Sequence, residues 1–199
     1  MTRHQDCGDP DERLAMAISA PPCDFGATWH PSELPGTDGR IYSLDDIKGQ
    51  RGTLVMFICN HCPYVQSILD RILRDAAALQ RAGIGVVAIS SNDAAAYPED
   101  APDRMKQLAE ERGFTFPYLH DETQQVARAY GAECTPDFFG YNAEGKLQYR
   151  GRLDGSGRQP AAPDARRELS EAMMQVAETG NGTQNQIPSI GCSIKWKDC

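Results

Sequence analysis

A chain of 199 residues and 21.8 kDa is the length of one domain with extensions rather than of two full domains. Its 40% hydrophobic and 24% charged residues, with 18 Gly and 13 Pro, exclude a disordered polyampholyte and a fibrous repeat. The 28 Asp+Glu against 20 Lys+Arg leave a formal charge of −8, which repels phosphate backbones and anionic lipid, so neither nucleic acid nor a membrane is an expected partner.

Residues 1–30 mix Asp6, Asp9, Asp11 and Glu12 with Pro21, Pro22 and Gly26 without a steady period, and read as an N-terminal extension. They lack the basic-then-apolar pattern of a secretory leader. The longest apolar runs, Leu54–Cys59 and Ile84–Ile89, are strand-length against the roughly 20 residues of a membrane span, so the expected location is cytoplasmic. The domain proper is expected over 31–180. It begins with a hairpin turn at Gly36-Thr37-Asp38-Gly39 and a short helix Leu44–Ile47 capped by Ser43. Thr53–Cys59 is apolar on both faces, as a central buried strand should be. After Pro63, apolar residues at Val65, Ile68, Leu69, Ile72, Leu73, Ala76 and Leu79 recur at steps of 3 and 4, which predicts an amphipathic helix ending near Gly83.

A second buried strand follows at Ile84–Ile89, then a polar loop, Ser90 to Asp100, and a helix opened by Pro102 and running to about Arg112. Phe116–Leu119 is a short strand. Asp121 and Gln124 have the spacing of a capping box for a helix through Tyr130, stopped by Gly131. Phe138–Tyr141 and Leu147–Gly151 form a hairpin around Asn142-Ala143-Glu144-Gly145, and a last helix runs from about Pro163 to Glu178. Residues 181–199 are a polar tail with one strand-like stretch, Ile190–Trp196, expected to pack on the domain. The order β-α-β-α-β-α-β-β-α is that of an α/β protein with a mixed central sheet flanked by helices on both faces.

Seven cysteines are an odd count and too few for a small secreted disulfide scaffold. Cys59-Asn60-His61-Cys62-Pro63 falls where a central strand ends and a long helix begins, and the unpaired N–H groups there stabilise a thiolate. His61, when protonated, tunes that thiolate in the same direction. The second thiol can attack a mixed disulfide on the first. Which sulfur attacks is open at this level: the exposed position in a C-x-x-C is usually the first, whereas Pro63 at the helix start makes Cys62 the cap. Cys134-Thr135-Pro136 is the second signal. A cis Pro136 entering a strand would turn a backbone edge beside Thr135 toward a substrate next to the cysteines. Asp137, Arg150, Arg152 and Asp154 read as a solvated charge face. Tyr97 and Tyr118 are candidate walls of the crevice, and Cys7, Cys23 and Cys199 are given no role.

Strand-CxxC-helix, then Thr-Pro, then a hairpin and a helix, together resemble the thioredoxin-fold superfamily. Within it FICNHCPYV (57–65), SNDAAAYPED (91–100), FPYLHDE (116–122), YGAECTPDFF (130–139) and IPSIGCSIKWK (187–197) resemble the peroxiredoxin-like redoxins related to the AhpC/TSA proteins. With Leu34–Asp45, these stretches reach from about 34 to 197. The resemblance implies a thioredoxin-like fold and a thiol–disulfide oxidoreductase. In that reading Cys59 and Cys62 exchange, Thr135 and Pro136 form the substrate-edge loop, and the partners are a protein or low-molecular-weight disulfide and a thiol reductant. No cofactor and no metal are expected, and the chain would be a monomer or homodimer. It also implies an alternative, a thiol peroxidase in which Cys62 attacks peroxide and Cys59 resolves the sulfenic acid. A third reading is a metal-binding module through Cys59 and Cys62.

The pattern departs from both parents. Cys59 and Val55 stand where a peroxiredoxin has Thr and Pro ahead of its attacking cysteine, and its arginine would fall around Thr135. Ile58 stands where a thioredoxin has Trp, and Leu54–Ile58 holds no acid to relay a proton. In the tail, Cys192 is a candidate third redox thiol, with Lys195 and Trp196 as a cover over the site; a packing tail is the alternative.

Overall fold

The computed structural model describes residues 17–197. In chain order the elements are β1 (Ala17–Ser19), β2 (Glu33–Pro35), β3 (Ile41–Ser43), α1 (Leu44–Ile47), β4 (Thr53–Phe57), α2 (Pro63–Arg81), β5 (Gly85–Ser90), a 3-10 turn (Pro98–Asp100), α3 (Pro102–Arg112), β6 (Tyr118–His120), α4 (Gln125–Tyr130), β7 (Cys134–Thr135), β8 (Asp137–Tyr141), β9 (Leu147–Tyr149), α5 (Glu168–Thr179) and β10 (Ile190–Ser193). The central sheet has the order β6-β5-β4-β8-β9, with β4 parallel to β5 and antiparallel to β8. Each residue of β4 is buried, which is why its sequence is apolar without alternation. Leu54, Met56 and Ile58 face Ile72 and Leu79 of α2 and Leu169 and Met173 of α5. Val55 and Phe57 point the other way, onto Leu44, Leu119, Tyr130 and Phe139. The helices therefore cover both faces of a thioredoxin-like mixed sheet, and each large aliphatic side chain removed from water contributes roughly 2 kcal/mol. Among the described residues no helix is long and apolar enough to cross a membrane.

Three local expectations are corrected. The last helix starts at Glu168, not Pro163, because residues 161–166, which follow Pro160 and contain Pro163, hold no buried side chain; Leu169 is the first to reach the core. The capping box at Asp121 does not close. Asp121 Oδ2 accepts the Ala127 N–H at 2.9 Å, but Gln124 sits in the left-handed region and turns to the C-terminal segment. Its Nε2 donates to Ser91 O and Lys195 O at 2.7 and 2.8 Å, and its Oε1 accepts the Lys197 N–H at 2.8 Å.

The charges after the hairpin are not a solvated face. Segment 186–190 folds over them, with Arg150 N–H on Gln186 Oε1 and Arg152 N–H on Ile187 O, both at 2.7 Å. Arg150 is buried against Asp137 at 2.8 Å and lies 4.4 Å from the Phe139 ring centroid. Asp154 receives two hydrogen bonds from Arg71 Nη1 of α2, at 2.9 and 3.0 Å, and Arg71 Nη2 donates to Gly157 O at 2.6 Å. Burial pushes the Asp137 carboxyl up to about 6, with Arg150 pulling it back. Since the folded value exceeds the roughly 3.9 of an unfolded aspartate, this group's stabilising contribution is complete below that pH and lost as pH rises through about 6. Arg150→Met should cost about 3 kcal/mol at pH 7.5, and less at pH 5, where Asp137 can keep a proton. Urea unfolding at the two pH values checks this; equal losses would mean that the ion pair is not the cause.

The first and last strands meet in a second sheet of order β1-β10-β7, in which β10 pairs antiparallel with both neighbours. The tail is also tied by Ile194 N–H to Glu133 O and by Lys195 N–H to Asn92 Oδ1, each at 2.9 Å. Beyond it Trp196 lies under the Arg128 guanidinium, 4.4 Å from centroid to carbon. Residues 1–16, with Cys7 and His4, and Cys199 lie outside the described residues.

Candidate active site

The strand β4 releases the chain at Phe57, although Ile58 N–H still reaches Ile89 O at 3.0 Å. Residues 58–62, which bend at Asn60 and His61, then lead to α2, which Pro63 opens at its first position. A residue before proline is pushed out of the helical region, so Cys62 becomes the N-cap, at φ −67° and ψ 118°. Both thiols are buried. Across from them the Thr135–Pro136 bond is cis. Thr135 touches each sulfur: its Oγ1 is 3.3 Å from Cys59 Sγ, and its carbonyl oxygen is 3.1 Å from Cys62 Sγ.

An acid that the sequence did not point to organises the loop. Asp100, fully buried at the end of the 3-10 turn, accepts the backbone N–H of Asn60 at 2.7 Å and of His61 at 3.2 Å on one oxygen. The other oxygen meets His61 Nδ1 at 2.5 Å and the Asn92 side-chain amide at 2.7 Å. His61 stacks on Tyr97 with centroids 5.2 Å apart and planes 7° from parallel, and the Lys195 ammonium is 5.7 Å from the same ring. The His61 Nε2 is buried without a partner. Tyr118 donates to Asn60 Oδ1 at 3.1 Å, so the two tyrosines read as crevice walls both touch the CxxC loop. The only sequence sign of Asp100 is its place in the stretch 91–100, between a strand and a helix.

Charge is distributed unequally among the sulfurs. Hydrogen bonds from Cys192 and from Cys59 hold the Cys62 thiol well below its ordinary value, against burial. The Thr135 carbonyl accepts the S–H of the protonated form and opposes that shift, but the Thr135 side chain and the Val65 backbone N–H add to the lowering. Burial first, then Cys62 and the Asp100 charge, push Cys59 up. Cys192 is raised by its bond to Cys62 and then by burial. Burial lowers His61, but the hydrogen bond and charge of Asp100 outweigh it, and the imidazole ends raised. Asp100→Asn should therefore lower the imidazole titration of His61, because burial is then the largest influence, with Lys195 adding to it and only the Cys62 charge opposing it. Proton NMR of the His61 ring across pH checks this, and an unchanged midpoint would remove Asp100 as the cause.

The register of β10 sets Cys192 opposite Thr135 and Ser193 opposite Cys134. The backbone edge expected to be open to a substrate is thus already taken by the chain's own tail. Cys134 is buried with its sulfur 3.7 Å from Pro136 O and is raised by burial. A groove of about 320 Å³ adjoins the site on the Pro136 side, lined by Tyr64, Ile68, Phe138, Ile187 and Ile190. The metal reading finds a different donor set from the one expected: Cys59, His61 and Asp100 place ligand atoms within 4.8 Å of one another, without Cys62. Those Asp100 oxygens already accept four hydrogen bonds, two of which hold the loop in place.

Residues 26–150 match the AhpC/TSA family, and the chain belongs to it. A crystal structure of an uncharacterized conserved protein from Geobacillus kaustophilus is similar at 43% identity and TM-score 0.87, over 92% of this chain and 98% of that one. A Mycobacterium tuberculosis protein that bears the peroxiredoxin name is 26% identical over 125 residues, covering 63% of this chain and 74% of its own length. The thioredoxin domain of a Bacteroides vulgatus thiol-disulfide oxidoreductase shares the fold at TM-score 0.54 and 19% identity, over 65% of this chain and 89% of that one. The chain is an oxidoreductase of the redoxin type.

Proposed function

We propose that the chain is a thiol–disulfide oxidoreductase in which Cys62 attacks and Cys59 resolves. The observation that carries the reading is the asymmetry of the pair: Cys62 caps α2 with a lowered pKa, whereas Cys59 is held protonated beside His61 and Asp100. The Cys62 thiolate attacks one sulfur of a substrate disulfide, the substrate S–S bond breaks, and the leaving thiolate takes the Nε2 proton of the His61 imidazolium. The neutral imidazole then accepts the Cys59 proton. Cys59 attacks the Cys62 sulfur, forming the Cys59–Cys62 disulfide and expelling the second substrate thiolate. Two protein thiols are oxidised and one substrate disulfide is reduced; an external thiol reductant resets the pair.

Asp100 orients His61 through Nδ1 and leaves Nε2, which has no hydrogen-bond partner, as the nitrogen that exchanges a proton. It supplies, from the 3-10 turn, the buried acid that β4 lacks.

The peroxidase reading keeps Cys62 as the attacker and is supported by the family. Against it stands Cys59 in the position where the family pattern has the threonine that orients peroxide. Stopped-flow measurement of thiol loss in the reduced protein, against one equivalent of glutathione disulfide or of hydrogen peroxide, separates the two. We expect fast loss with the disulfide and, with peroxide, loss no faster than that of a free thiol. The reverse order would make the protein a peroxidase.

A further inference from the structure

The proposed cycle uses two sulfurs, and a third lies against the attacking one. β10 pairs with β7 so that Cys192 is opposite Thr135, the residue whose carbonyl touches Cys62 Sγ. Cys192 and Cys62 are both buried in one cluster, and Cys192 is the first influence on the Cys62 thiol. Cys62 also has Cys59 as a neighbour, so the attacking sulfur sits between two thiols. An antiparallel strand carrying a cysteine, docked on the backbone edge beside an active-site thiol, is the arrangement that a bound disulfide peptide would take. Here the chain supplies that strand itself.

We propose that Cys192 is a third redox residue, which exchanges with Cys59 for the sulfur of Cys62. The proposal rests on the reading of Cys62 as the attacking thiolate. In the relay step Cys192 loses its proton and attacks the Cys62 sulfur of the Cys59–Cys62 disulfide. A Cys62–Cys192 bond forms, the Cys59–Cys62 bond breaks, and Cys59 leaves as a thiolate that takes up the proton Cys192 gave up. No net oxidation occurs, so no further oxidant is needed. The product clamps β10 on β7 and frees Cys59. The oxidising equivalent is then held by a pair that includes a tail residue.

The test is disulfide mapping of the full chain after treatment with glutathione disulfide, acid quench and tryptic digestion, in wild type, Cys59→Ser and Cys192→Ser. Trypsin leaves Cys59 and Cys62 together in the peptide 52–71 and Cys192 in the peptide 168–195. A Cys59–Cys62 bond therefore makes peptide 52–71 lighter by two hydrogens, and a Cys62–Cys192 bond joins the two peptides. We expect both products in wild type, only the joined peptides in Cys59→Ser, and only the internal disulfide in Cys192→Ser. If Cys59→Ser is folded by circular dichroism but stops at a glutathione adduct on Cys62, while wild type still forms Cys59–Cys62, the relay is overturned and the two-sulfur cycle stands. Unmodified Cys62 in wild type and Cys59→Ser alike would overturn both. Cys59→Ala serves in place of the serine variant if that one fails to fold.

Discussion

Cys62→Ser should lower disulfide reduction by about 10³-fold or more, to the background of the remaining thiols, because it removes the one sulfur among the described residues whose pKa is lowered. Cys59→Ser should behave differently: the first exchange with substrate survives and turnover does not. The contrast follows from where the backbone puts the two residues. Cys62 is placed by Pro63 at the end of the helix where a negative charge is favoured, whereas Cys59 is the last residue before the turn and faces the Asp100 carboxylate. Burst kinetics with glutathione disulfide distinguish the variants. Near-equal loss of the first turnover in both would mean that the order of the sulfurs is wrong.

Gly191→Ala should open the site. A β-carbon at Gly191 would lie 2.0 Å from the Thr135 carbonyl oxygen, 2.6 Å from its carbon and 3.0 Å from Pro136 N. All three are backbone atoms of β7 or of the residue after it, and none can turn aside. The tail has to move off β7, losing the pairs Cys192 with Thr135 and Ser193 with Cys134. Because Cys62 has no exposed surface beneath that strand, its reaction with a bulky aromatic disulfide should rise by about tenfold or more, at a stability loss of about 1–3 kcal/mol from overpacking. The same substitution should widen the range of disulfides accepted, since the occupied edge excludes a substrate backbone in the unmodified chain. An unchanged rate at Cys62, with hydrogen-exchange protection of 190–193 retained, would show that the tail does not limit access.

The frame of the site was legible in the sequence because local rules set it. A six-residue apolar run ending in a cysteine, a proline just after the second cysteine, and a helical repeat behind it leave little freedom in placing Cys59 and Cys62. The rest depends on contacts between distant segments. Asp100 looks like any acid before a helix-opening proline until the fold brings its carboxylate under the backbone of Asn60 and His61. Gln124 has the spacing of a cap, yet the tail's carbonyl at Lys195 competes for its amide and wins. Arg150 and Asp137 look solvated because charge is usually so; they are buried because segment 186–190 crosses them. The strand β10 is four residues long in a polar tail, so its pattern could not reveal that it takes the edge beside Thr135.

The position of Trp196 has a spectroscopic consequence. The chain has two tryptophans, and they stand in different places: Trp29 meets the edge of Tyr141, while Trp196 sits three residues beyond β10 beneath Arg128. Departure of the tail from β7 would take the second indole away from its cation and into water, with the first left as it was. The emission of Trp196 in a Trp29→Phe background would then report, without any added label, whether the dithiol is covered.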